Sequence, residues 1–268
     1  MATLKTLRQE LAKVLGSFAS GAATGGSTVT LVDSAGLLDP LASGDSYGSH
    51  WLLITSGALA GQVRKVSSYE PTTGTLTVNR AYSPSGPSGG ELYELHGSLA
   101  PLELADCINR ALSRCLYTTT HQITTVAGQR EYSLPAWVTD PWQVYSVRKR
   151  YGEAANQYYW RDVWFDARVE DGAGVVEVEP RKAGETLTAS CLRPYAALAL
   201  DSDSTGAATE LAVAGAKTAA YELLSRLTPG ADAAVYRALR QGAAAEFARL
   251  ARLHQPRPAR RVQFEQAY

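Results

Sequence analysis

Helical and strand-rich blocks alternate along this chain, and that order limits its architecture more than any motif does. Leu4, Leu7, Leu11, Val14, Leu15 and Phe18 recur at helical spacing, with Lys5, Arg8, Glu10 and Lys13 on the other side. Gly16 weakens this helix, and Gly21, Gly25 and Gly26 stop it. Residues 27–97 then read as short strands (28–32, 51–55, 62–69, 75–78 and 91–95) between turns. Pro71-Thr72-Thr73-Gly74 is a hairpin signal, and 83–90 is a Pro/Gly/Ser loop. Five short strands at this spacing predict a small barrel or sandwich.

Helix returns at Pro101, with Ser98 as its expected cap and Ala105, Ile108, Leu112, Cys115 and Leu116 as its apolar stripe. A second β block covers about 122–200. In it, 122–126 and 130–134 look like a hairpin about Gly128, and 143–148, 175–179 and 186–192 alternate as strands. Two Ala-rich helices follow. The first spans 210–227 and is broken by Pro229-Gly230. The second, with Asp232 as its expected cap, carries Val235, Leu239, Leu250 and Leu253 to His254. Alanine adds little bulk, so these two helices are expected to approach closely.

The expected fold is therefore α+β. A four-helix core is assembled from distant segments (residues 1–20, 98–121 and 207–255). Two antiparallel β modules are inserted into it, a barrel-like one at 27–97 and a second at 122–200, and an extended C-terminal arm occupies 256–268.

The 268 residues can bury a sizeable core without staples. Acids equal bases at 26 each, which argues against a protein that wraps nucleic acid over most of its surface. The apolar segments carry Arg or Glu every few residues, so no membrane span is expected, and the first residues lack the h-region of a secretory signal. Cys107, Cys115 and Cys191 form no CxxC pair. Cys107 and Cys115, eight apart on one expected helix, would stand roughly 12 Å apart along it, too far for a disulfide. All three read as small buried hydrophobes in a reducing compartment.

Motifs for catalysis are weak. Gly21–Thr28 has the glycine spacing of a phosphate loop, but Ser27 stands where the lysine belongs and the segment leads from helix to strand, so it reads as a linker. His50, His96, His121 and His254 are scattered and form no HExxH, and no GxSxG is present. Asp162, Asp166 and Glu170 lie among aromatics, but strand residues four apart are about 13 Å apart, beyond the reach of a glycosidase pair. No catalytic residue, cofactor site or metal site is assigned, and an enzyme is not expected.

Two features point to binding. Aromatics crowd from Trp137 to Phe165, among them Trp142, Tyr145, Tyr151, Tyr158, Tyr159, Trp160 and Trp164. They suit a β core, a protein interface or a sugar platform. Trp137, Trp142, Tyr158, Tyr159, Trp160 and Trp164 are the candidate interface residues. The second feature is the basic end of the chain, where Arg257, Arg260 and Arg261 precede Val262, Phe264 and Tyr268. Its alternating polarity suits an extended arm that adds a strand to a partner or fills its groove. A solvated tail or a nucleic-acid arm are the other readings.

The string Ile123-Thr124-Thr125-Val126-Ala127-Gly128-Gln129-Arg130-Glu131-Tyr132-Ser133-Leu134-Pro135 is similar to a phrase common in tailed-bacteriophage adaptor proteins. Trp51 through Gly61-Gln62-Val63-Arg64 to Thr73-Gly74-Thr75-Leu76-Thr77-Val78 also looks like a phage neck β insert. The element order resembles the head–tail connector family, tail tubular protein A-like. The resemblance implies a non-catalytic virion protein at the neck, made in the host cytoplasm, that forms a dodecameric homo-oligomeric ring. Its partners would be the portal and a tail, nozzle or tail-completion protein, with DNA passing through the lumen without sequence-specific binding and with no membrane partner. The resemblance gives portal binding to Arg257, Arg260, Arg261, Val262, Phe264 and Tyr268. The competing reading is a carbohydrate- or receptor-binding β module of a virion or surface protein.

Overall fold

The computed structural model describes residues 1–16, 18–151 and 159–254. It is α+β and divides into two units, one built from the described residues of Met1–Leu112 and Ala196–Leu250, the other from the described residues of Ser113–Tyr195 and 251–254.

The first unit holds a helical bundle and a β module. Helix α1 (Leu4–Val14) starts where the Thr3 hydroxyl accepts the Thr6 N–H at 3.2 Å and buries Leu4, Leu7 and Leu11. It ends a turn earlier than its apolar spacing predicts, because Gly16 takes a φ of +84°, and Phe18 opens a strand instead. Helix α2 (Pro101–Leu112) has proline in its first turn. Its cap is not Ser98: Glu103 reaches back to accept the Ala100 N–H at 2.7 Å, half of a capping box. The helix stops at Leu112, nine residues before the expected limit of 121, and Cys115 lies beyond it. The run Tyr117-Thr118-Thr119-Thr120 explains this, since β-branched and aromatic side chains favour strand.

Helices α3 (Thr209–Leu227) and α4 (Ala231–His254) complete the bundle. The close small-residue approach lies between α2 and α3 rather than between α3 and α4. A Cβ built on Gly215 of α3 would fall 2.8 Å from the Ala111 Cβ and 2.9 Å from the Phe247 ring. Aromatic rings separate α3 from α4: Phe247 covers Gly215, and Tyr236 stacks on Tyr221 at 6.3 Å. A two-stranded ribbon of β1 (Ala2–Thr3) and β16 (Ser204–Thr205) ties down the amino-terminal end.

The β module comprises β2 (Phe18–Ala22), β3 (Gly25–Ser27), β4 (Thr30–Val32), β5 (Trp51–Ile54), β6 (Val63–Glu70), β7 (Thr75–Val78) and β8 (Leu92–His96). Its antiparallel order is β2-β8-β5-β6-β7-β4-β3. The first and last strands are separated in the chain only by Ala23 and Thr24, so the sheet curls round until its ends meet. Inside lie Leu31, Leu52, Ile54, Leu76, Tyr93 and Leu95, all buried. The segment expected to be a glycine linker is thus the barrel's seam. At the β6–β7 turn Gly74 has a φ of +62°, and a Cβ there would meet the Asp33 carbonyl oxygen at 2.3 Å.

The second unit is a two-layer β structure. One sheet has the order β12-β11-β15-β9, from β9 (Leu116–Thr124), β11 (Val144–Tyr151), β12 (Tyr159–Asp162) and β15 (Thr186–Pro194). The other has the order β10-β14-β13, from β10 (Glu131–Ser133), β13 (Phe165–Glu170) and β14 (Ala173–Val178). Val144, Val147, Val163, Val176, Val178, Leu187, Ala189 and Cys191 form the core they share. The hairpin expected about Gly128 does not form. β9 pairs with β15 over nine residues and β10 pairs with β14, so the two halves enter different sheets.

Candidate assembly surfaces

The exposed tryptophans gather on the second unit. Trp142, in the 3-10 turn Pro141–Gln143, is 54% exposed, Trp160 on β12 is 50% exposed, and Trp164 just after β12 is 56% exposed. A capping box closes the turn beneath Trp142, with Asp140 accepting the Trp142 N–H and Gln143 accepting the Asp140 N–H. Trp137 is partly buried against the core, under the Arg193 guanidinium at 5.1 Å. Tyr158 lies outside the described residues, and Tyr159 is placed only by its backbone, opposite Tyr151. The aromatic stretch therefore splits between core and surface.

Carboxylates near these rings are held by arginine. Arg148 donates to Asp162 at 2.9 Å. Arg168 donates to Glu170 at 2.6 Å, Glu131 at 2.5 Å and Glu177 at 3.1 Å. The hydrogen bonds to Glu170 and then Glu131 hold the guanidinium pKa above its ordinary value. Asp162 and Glu170 thus serve as arginine partners in this geometry.

Helix α4 leaves large apolar side chains open to water. Among the described residues only Ala243 and Leu250 of α4 are buried. Val235, Leu239 and Leu253, expected from their spacing to be core, are 56%, 44% and 66% exposed. The face toward α3 is supplied instead by Tyr236, Ala243, Phe247 and Leu250, and Glu246 pairs with Lys217 at 3.5 Å. The proposed arm residues Arg257, Arg260, Arg261, Val262, Phe264 and Tyr268 lie outside the described residues.

A buried polar cluster went unread in the sequence. Arg8 on α1 is 3% exposed and donates to Glu94 of β8 at 3.0 Å and to Asp201 at 2.9 Å. Gln9 donates to Glu94 at 2.8 Å, and His96 Nε2 lies 3.1 Å from the same carboxylate. Burial alone would push the Glu94 pKa up. The hydrogen bonds from His96 and Gln9 and the Arg8 charge outweigh it and hold the carboxyl below its ordinary value. The cluster fastens the β module to α1 within the first unit.

The other histidines are dispersed: His50 before β5, with its pKa lowered chiefly by burial, His121 on β9, and His254 at the end of α4. Among the described residues no group of three His, Cys, Asp or Glu could hold a metal ion, and no helix is long and apolar enough to cross a membrane.

A family model described as SU10 adaptor protein matches residues 91–263, more than half of the chain. The chain belongs to the SU10 adaptor protein family. No curated protein matches it. Family membership makes it a structural adaptor of the phage neck. The matched stretch runs from β8 through α2, the two-sheet unit, α3 and α4. The adaptor's earlier barrel strands, β2 to β7, precede it.

Proposed function

We propose that this adaptor forms a ring between portal and tail at the phage neck, lines the DNA conduit and catalyses no reaction. The family match over residues 91–263 carries this reading. The exposed apolar face of α4 supports it, because Val235 and Leu239 are large side chains that an unassembled helix leaves in water. Closed cyclic symmetry suits a chain that repeats one heterologous contact. Dodecameric stoichiometry and the tail tubular protein A-like subtype are part of the proposal. Equal numbers of acids and bases suit a conduit that lets DNA pass without gripping it.

Arg257, Arg260, Arg261, Val262, Phe264 and Tyr268 dock on the portal in this reading, and a tail-completion or nozzle protein binds the opposite side. An arm with alternating apolar and polar residues fits a groove between subunits. The test is binding of purified portal by the full chain and by a chain ending at Gln255. The truncated chain is expected to keep its thermal midpoint and lose portal binding. Unchanged affinity would overturn the arm assignment, and absence of the protein from purified particles would overturn the ring.

A further inference from the structure

Sheet edges need protection, because an edge strand offers unpaired N–H and C=O groups to any extended chain. Most edges here have it. In the β module the two end strands, β2 and β3, are three to five residues long and follow each other in the chain. β10 is three residues long, β13 carries Asp166, Arg168 and Glu170, and β12 is four residues long with Arg161 and Asp162. β9 is different. It runs nine residues, Leu116–Thr124, without an Asp, Glu, Lys, Arg, proline or glycine. Its register with β15 is unbroken by any bulge. No described strand pairs its other side.

The opposite edge of the same sheet carries an unexplained aromatic. Trp160 stands directly across from Arg150, and Arg148 stands across from both Asp162 and Thr188. Thr188 in turn faces Gln122. Trp160 therefore shares the outer sheet face with Thr118, Thr120, Gln122 and Thr124, all exposed. An aromatic beside a row of threonines across a strand boundary is a favourable pair.

The strand directions admit such a junction. Four antiparallel strands leave β12 and β9 running in opposite senses. Copies related by rotation about an axis along the strands keep those senses. The β9 of one copy then meets the β12 of the next antiparallel, and the alternation continues.

We infer that β9 of one copy pairs with β12 of its neighbour, so that the four-stranded sheets join edge to edge around the assembly. This inference rests on the ring reading. Trp160, which stands level with Thr124 across the sheet, lies over the neighbour's Thr124 and Gln122, and the backbone of β9 finds partners. β9 brings no Asp, Glu, Lys or Arg to the junction to clash with Arg161 and Asp162. Ring closure compensates for the short β12, since each copy is held on both sides.

The test is site-directed cross-linking in assembled particles. The full chain carries Thr120→Cys on β9 and Asp162→Cys on β12 and is treated with a short bismaleimide. Cys107, Cys115 and Cys191 are buried and stay silent. The double variant is expected to give a ladder in steps of one 28.7 kDa chain, and neither single variant should do so. Dimers from Thr120→Cys alone would overturn the inference in favour of β9 pairing with itself. Particles whose necks hold rings but give no ladder would overturn the junction and leave the ring standing. Particles without rings would overturn both. Trp160→Ala, at an exposed position, should keep the thermal midpoint and lower incorporation about tenfold, the scale of one interfacial tryptophan. Incorporation at the wild-type level would also overturn the junction.

Discussion

Arg8 and Glu94 lie 86 positions apart in the chain, yet the Arg8 Nε donates to the Glu94 Oε2 at 3.0 Å with both side chains almost wholly out of water. Removing one member of a buried charge pair strands the other. Arg8→Ala or Glu94→Gln should therefore cost about 3–5 kcal/mol of stability, read from urea midpoints.

The same contact sets an acid dependence. The Glu94 carboxyl has its pKa below the ordinary value of 4.5 in the fold. Its contribution is thus complete above the unfolded value and is lost as pH falls through the lower folded value. A pH series of urea midpoints should show a shallower acid limb for Glu94→Gln than for the wild type. Parallel curves would refute the linkage.

Gly215 is packed from two sides, with the Ala111 Cβ and the Phe247 ring both inside 3.0 Å of where its own Cβ would lie. Gly215→Ala forces α2 or Phe247 to move, and overpacking of this kind costs about 1–3 kcal/mol. Adding Phe247→Leu should recover part of that loss in thermal melts.

Within the barrel, the Tyr93 hydroxyl donates to Asp33 at 2.7 Å, and Asp33 is 2% exposed. Tyr93→Phe keeps the ring but removes a partner of a buried carboxylate, at a cost of about 1–3 kcal/mol. Calorimetry of the pair checks it.

The thiols offer a probe of folding. Burial pushes Cys107 and Cys191 up to about 11, so both stay protonated at neutral pH. A thiol reagent should leave the native chain unlabelled and react with all three cysteines in denaturant.

Val235→Asp with Leu239→Asp alters only exposed positions of α4. Stability should shift by less than about 0.5 kcal/mol per site, while incorporation into particles falls. Normal incorporation would remove α4 from the assembly contacts.

The alternation of blocks was legible in the sequence because helical and strand periods differ and glycines punctuate them. Partners were less so. Nothing near Gly128 reveals that Glu131 pairs with Glu177, since the choice of a distant strand depends on the whole core. The strand at Tyr117-Thr118-Thr119-Thr120 carried its own signal, which the apolar stripe of the preceding helix masked. Val235 and Leu239 have core spacing, but the aromatic Tyr236 and Phe247 claim the inward face of α4. The Arg8 cluster was hidden because a charged residue on a helix reads as a solvated one until its distant partner is known. For the binding surfaces, aromatic density marked the right region, and only the fold separates Trp137 from Trp160.

The barrel begins at Phe18 and ends at His96, and these two residues face each other across one pair of strands. The chain thus leaves the bundle and returns to it through neighbouring points. A module attached in this way resembles a tool on a bayonet mount. Strands added to or trimmed from the middle of the module leave the paths of α1 and α2 unchanged.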